Sequence, residues 1–137
     1  MALSLLLVAC GTSSGAPLRG PGKVSPVLLL CQGPALHGIC RRTTNILKNF
    51  RTQDIVFDDS VPIGVNQLQI VLEKRSTSNG WREQDVTSLA TDPKGNVAWG
   101  PASQWGSHIP WPNGQYKIVV VIHDKAVAST AITVNVS

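Results

Sequence analysis

Between Pro112 and Val136 the chain alternates apolar and polar residues over two consecutive runs, a pattern that few folds accommodate. In the first run Tyr116, Ile118, Val120 and Ile122 share one face; in the second Ala128, Thr130, Ile132, Val134 and Val136 do the same. A period of two sends alternate side chains to opposite sides of an extended chain, so each run reads as a strand with one face toward a core. His123-Asp124-Lys125 supplies the turn, and the pair is expected to form an antiparallel hairpin. A two-stranded hairpin is marginal in water, so the rest of the chain must supply strands that cover it.

Those strands are sought upstream. From about Gln53 onward, short β-type runs alternate with turn residues: Asp54 to Phe57, Gln67 to Glu73, Trp81 to Leu89 and Asn96 to Trp99. In the second of these, Leu68, Ile70 and Leu72 fall on one face. The expected fold class is all-β, an immunoglobulin-like antiparallel β-sandwich over residues 53–137, preceded by a flexible or partly helical N-terminal segment. At 137 residues and 42% hydrophobic content, the chain suffices for one core. Charged residues make up only 15%, against roughly 25% in typical soluble domains, which suits an extracytoplasmic β domain better than a cytosolic helical one.

Asp92-Pro93-Lys94-Gly95-Asn96, then Trp99-Gly100, then Pro112-Asn113-Gly114-Gln115-Tyr116 precede a hydrophobic strand ending at His123-Asp124. This series resembles bacterial immunoglobulin/fibronectin type III-like domains, in the form found in flagellar hook-cap proteins and as accessory domains of cell-surface proteases. The resemblance covers roughly the last 85 residues, close to the roughly 100 of an immunoglobulin-like domain. It implies two turns and a strand entered at Tyr116, whose hydroxyl would bond back to the chain as a tyrosine corner does. Lys125-Ala126 stands where the family often has Gly after the last turn's Asp. The resemblance implies a fold rather than an activity, because such sandwiches host many roles.

Met1–Ala9 is continuously apolar but too short to span a bilayer, which takes about 20 helical residues. It matches the apolar core of a secretory signal. Leu7-Val8-Ala9-Cys10 resembles the lipobox of bacterial lipoproteins, although no Lys or Arg precedes it. The resemblance implies cleavage before Cys10, lipid attachment to its sulfur, and a tether beginning at Gly11. The expected organisation is a signal-like segment over 1–9, a tether or linker with short elements over 10–52, and the sandwich over 53–137. The expected location is the cell envelope, lipid-anchored to a bacterial membrane (outer membrane or cell surface), or secreted.

Within the linker, Val27 to Cys31 reads as a strand or a helix piece, and Thr43 to Phe50 has weak helical spacing. Cys31 and Cys40 would close a small loop in an oxidising compartment, or remain free thiols. A metal site with His37 offers only three ligands at an unsuitable spacing, and no metal or cofactor is expected. The Lys and Arg residues, 12 against 8 acids, are scattered; only Arg41-Arg42 through Arg51 approaches a cluster, and no nucleic-acid partner is expected.

Trp81, Trp99, Trp105 and Trp111 crowd one third of the chain. They divide between filling the core and forming an exposed platform for a sugar ring or a protein partner. Trp105 and Trp111, flanking the loop that holds His108, are the pair expected to be exposed; with Trp99 and His108 they are the candidate partner-binding residues. No spacing suggests a catalytic constellation. The expected function is a non-catalytic, lipid-anchored extracytoplasmic binding or structural module presenting loops to a protein or glycan partner. The alternative is a small envelope enzyme or enzyme inhibitor acting through Gly100 to Trp111.

Overall fold

The computed structural model describes residues 26–77 and 80–136. Nine strands run in chain order: β1 (Val27–Cys31), β2 (Thr43–Thr44), β3 (Ile46–Leu47), β4 (Asp54–Asp58), β5 (Gln67–Arg75), β6 (Trp81–Ala90), β7 (Val97–Pro101), β8 (Gly114–Ile122) and β9 (Lys125–Val134). They form a four-stranded sheet, β2-β1-β4-β7, and a five-stranded sheet, β3-β9-β8-β5-β6. Pairing is antiparallel except between β3 and β9, where Ile46 and Leu47 run parallel to Thr133 and Val134. The chain passes repeatedly from one sheet to the other, and the result is an all-β, immunoglobulin-like sandwich.

The period-two pattern explains the core. Leu68, Ile70 and Leu72 of β5 and Tyr116, Ile118 and Val120 of β8 are all buried on one face. Leu28 and Leu30 of β1 and Ile55 and Phe57 of β4 meet them from the other sheet in one cluster. The β8–β9 connection is a two-residue turn in which His123 and Asp124 both take positive φ, 51° and 63°, the backbone twist that a tight hairpin needs. Asp92 opens the β6–β7 turn, its carboxylate accepting from Lys94 N and its carbonyl from Gly95 N.

The sandwich begins earlier than expected. Val27–Cys31 is a strand, antiparallel to β4, so the segment before residue 53 contributes to both sheets. The helix expected over Thr43 to Phe50 is absent; β2 and β3 stand there instead, separated by Asn45. Tertiary pairing overrides a weak local preference here: Leu47 is fully buried against the core as the partner of Val134. The expectations for Met1–Ala9 and Cys10 lie outside the described residues.

The Tyr116 hydroxyl donates to the Pro112 carbonyl at 2.6 Å, closing a tyrosine corner at the entry to β8. The phenol is buried, and that burial raises its pKa above the ordinary value. Tyr116→Phe keeps the ring and removes only the bond, so it should lower stability by about 1–2 kcal/mol in a denaturant titration. A change within error would mean that the corner contributes nothing net.

Candidate functional site

The outer face of the β2-β1-β4-β7 sheet is built by the same alternation that makes the core. Leu29, Val56 and Trp99 lie opposite one another across three strands and point away from the core residues of those strands. Val56 is nevertheless fully buried, and Gly38, in the segment between β1 and β2, packs against its neighbours on this face, Val97 and Trp99. A disulfide joins Cys31 to Cys40, with Cα atoms 5.1 Å apart. Closing a loop of about ten residues stabilises the folded chain by about 2.7 kcal/mol on the chain-entropy account.

Asp54 gives the loop a second fixing point, its carboxylate accepting from Ala35 N at 2.7 Å. Leu36 and Ile39 exchange both backbone hydrogen bonds across His37-Gly38, which both take positive φ. This is a tight turn of the kind that closes two-residue hairpins. Gly38 is required there twice over: a Cβ on it would lie 2.9 Å from the Trp99 ring as well as facing φ of +80°. The turn leaves Leu36 54% and Ile39 68% exposed, beside a Trp99 that is 45% exposed.

The four residues expected to bind a partner do not come together. Trp105 is fully buried and Trp111 is 3% exposed, which overturns their expected exposure. Two backbone bonds explain it: Ala102 N donates to the Gln53 carbonyl and Ser103 N to that of Phe50, pinning the start of the loop to the core. Trp105 N then donates to the Ala102 carbonyl, and the tight turn carries the indole inward. Trp111 packs edge-on to Phe50 and tilted against Tyr116, at ring distances of 5.2 and 5.8 Å. Gly106 lies under Trp111, where a Cβ would approach the indole nitrogen to 2.7 Å. The two indoles of the Gly100 to Trp111 loop are therefore packed down, whereas Ser107, His108 and Pro110 between them stay exposed.

His108 is exposed at the far end of that loop, 86% by side chain, beside the buried Asp85 of β6. Asp85 accepts from Ser107 N at 2.7 Å, from His108 N at 3.2 Å and from the Ser107 hydroxyl. His108 Nδ1 lies 3.3 Å from the same carboxylate and 3.0 Å from Ser107 Oγ. A catalytic triad places the acid and the hydroxyl on opposite ring nitrogens. Here both crowd Nδ1, and the geometry is that of a clamp holding the loop to the edge strand. Asp85 is one of two acids in β6, with Glu83, and its spacing in the sequence does not set it apart.

Burial alone would raise the Asp85 pKa, but the hydrogen bonds from Ser107 and His108 outweigh it and hold the carboxyl below 3.8. The depressed folded value means that Asp85 stabilises the fold above its unfolded pKa. That contribution is lost as pH falls from about 3.8 through the folded pKa. Asp85→Asn should thus be less stable than the parent at pH 7, with the gap closing below pH 3.8. A gap constant with pH would show that the carboxylate charge plays no part.

On the opposite outer face Trp81, one of the four tryptophans but not among the expected partner-binding residues, is exposed and lies opposite Arg75 in the β5–β6 pair. Lys117 Nζ lies 4.9 Å and the Arg75 guanidinium 6.0 Å from its ring centroid, both within cation–π reach. Lys117 also pairs with Glu73 at 3.5 Å. Val86, Val71 and Val119 continue the face as an apolar row across β6, β5 and β8. Among the described residues no group of three or more His, Cys, Asp or Glu side chains could hold a metal ion, and no helix is long and apolar enough to cross a membrane. Neither the family models nor the curated proteins compared with this chain match it.

Proposed function

We propose that the chain is a non-catalytic, extracytoplasmic binding module, lipid-anchored through Cys10, that engages a protein or glycan partner. The observation that carries the reading is Trp81. Its indole is exposed on the outer sheet face, steadied by Lys117 and Arg75, with the Glu73 carboxylate and the valine row alongside. An immobilised aromatic surface ringed by donors and acceptors suits a sugar ring or a protein hot spot. The Cys31–Cys40 disulfide supports the location, because such bonds persist in oxidising compartments.

The test has two arms. Amide NMR spectra are recorded during titration with a panel of soluble envelope glycans, and a photo-cross-linker is placed at Val86 in the native host. Shifts confined to Trp81, Glu73 and Lys117, or a discrete cross-linked species lost in Trp81→Ser, are expected. Spectra unmoved by every glycan, together with no discrete cross-link, would overturn the reading.

A further inference from the structure

The charge of this protein is divided by sequence in a way that its net value of +4 conceals. The first 53 residues carry six of the twelve Lys and Arg and no Asp or Glu; the remaining residues carry the other six and all eight acids. The fold gathers part of that basic segment at one end of the sandwich. Arg41 and Arg42 follow the disulfide directly, while Lys48 and Arg51 lie within the β3–β4 connection. Gln53 draws that connection to the disulfide: its side chain bonds the Cys31 carbonyl and, from its other end, Lys48 N. All four basic residues are exposed, and none makes an ion pair among the described residues.

The apolar residues at the same end are equally unusual. Leu36 and Ile39 are cross-strand neighbours at a hairpin tip and so project to one side of it, the two among the most exposed large apolar residues described. An open cleft of about 710 Å³ is lined by Pro34, Ala35 and Leu36 together with Arg41 and Arg42, so apolar and cationic groups meet in one place. The disulfide, Asp54 and the Gly38–Trp99 contact hold this tip rigid, so little ordering is lost when it is buried.

We infer that the Cys31–Cys40 loop docks on an anionic lipid bilayer. Leu36 and Ile39 enter the interface, Trp99 lies at headgroup depth, and Arg41, Arg42, Lys48 and Arg51 face the lipid phosphates. The chemistry matches on each count: aliphatic side chains gain by leaving water, an indole favours the interface, and long cationic side chains reach phosphate from an apolar base. Charge complementarity selects an anionic surface over a zwitterionic one, because each basic residue close to it strengthens binding about fivefold. The inference is independent of the partner reading, which concerns the other sheet.

The test uses the full chain with Cys10→Ser, leaving the disulfide intact, and one added cysteine carrying an environment-sensitive fluorophore. The cysteine stands at Ile39 or, as a control, at Ser129 on the opposite outer face. Placing the probe locally separates docking of the loop from any attachment through Met1–Ala9. On vesicles containing phosphatidylglycerol the label at 39 should shift to the blue, the label at 129 should not, and pure phosphatidylcholine should give little response. Arg41→Gln with Arg42→Gln should weaken the response roughly 25-fold, and raised salt should weaken it too. A label at 39 that stays silent on vesicles, or that answers phosphatidylcholine equally, overturns the inference. So does a label that responds to soluble polyglutamate but not to vesicles, which would point to an acidic protein instead.

Discussion

Gln53→Leu should cost about 4 kcal/mol, although it exchanges one side chain for another of similar size at a position 5% exposed. The amide uses its full hydrogen-bonding capacity. Its oxygen accepts from Lys48 N at 2.6 Å and Asn49 N at 3.0 Å, and its nitrogen donates to the Cys31 and Ile46 carbonyls, each at 3.1 Å. One side chain therefore joins β1 of one sheet to β3 of the other and closes the connection between β3 and β4. Leucine satisfies none of these groups, and each bond is worth about 1 kcal/mol net, more where the orphaned partner stays buried. Against a total of 5–15 kcal/mol for a domain, that is a large share, and the melting temperature should fall by roughly 15–20 °C. Thr52→Ala, at the exposed neighbour, should move it by only a few degrees. A loss below about 1 kcal/mol for Gln53→Leu would mean that water replaces the amide at little cost. Gln53→Glu is a sharper probe, since a carboxylate oxygen would then face two carbonyl oxygens; it should be at least as damaging.

Nothing in the sequence singles out Gln53, which reads there as a polar residue at the edge of the domain, and the reason is general. Period-two alternation is a local signal, and wherever it runs for five or more residues it placed strands well, as in β5, β8 and β9. Tyr116 was legible for the same reason, because a turn and a strand start are both local. Strands of two residues have no period to display, so β2 and β3 could not be told from the helical spacing of Ile46, Leu47 and Phe50. Their partners lie elsewhere in the chain, Thr133 and Val134 in the case of β3. The sheet-to-sheet bonds of Gln53 and the Asp85 clamp likewise depend on residues brought together only by the fold. The tryptophans failed in a more specific way. Gly, Pro and Ser around Trp105 and Trp111 describe a loop correctly, but loop residues are exposed only if the backbone is not turned inward, and the bonds from Ala102 and Ser103 turn it inward.

The sharpest separation of the two readings of those indoles comes from Trp105→Ala, which should destabilise the fold by about 3–5 kcal/mol. Trp105 is fully buried in the core cluster with Phe50 and Tyr116, and removing its ring leaves a cavity that only partial relaxation can fill. Its indole N–H has no hydrogen-bond partner among the described residues, so the side chain stabilises by area and packing. Trp105→Phe should accordingly cost much less, about 1–2 kcal/mol, because it retains most of the apolar area and removes a buried donor that nothing satisfies. A surface anchor would behave in the opposite way: alanine would leave the melting temperature unchanged, and the loss would appear in partner binding. Trp81→Ser supplies that comparison within the same molecule, since its ring is exposed and should change stability by less than about 1 kcal/mol. If Trp105→Ala melted with the parent while Trp81→Ser did not, the burial assigned to the Gly100 to Trp111 loop would be wrong. The loop would then regain its place as the candidate binding element. The expected order, Trp105→Ala far below Trp105→Phe and Trp81→Ser close to the parent, assigns the Trp105 indole to the core and the Trp81 indole to the surface.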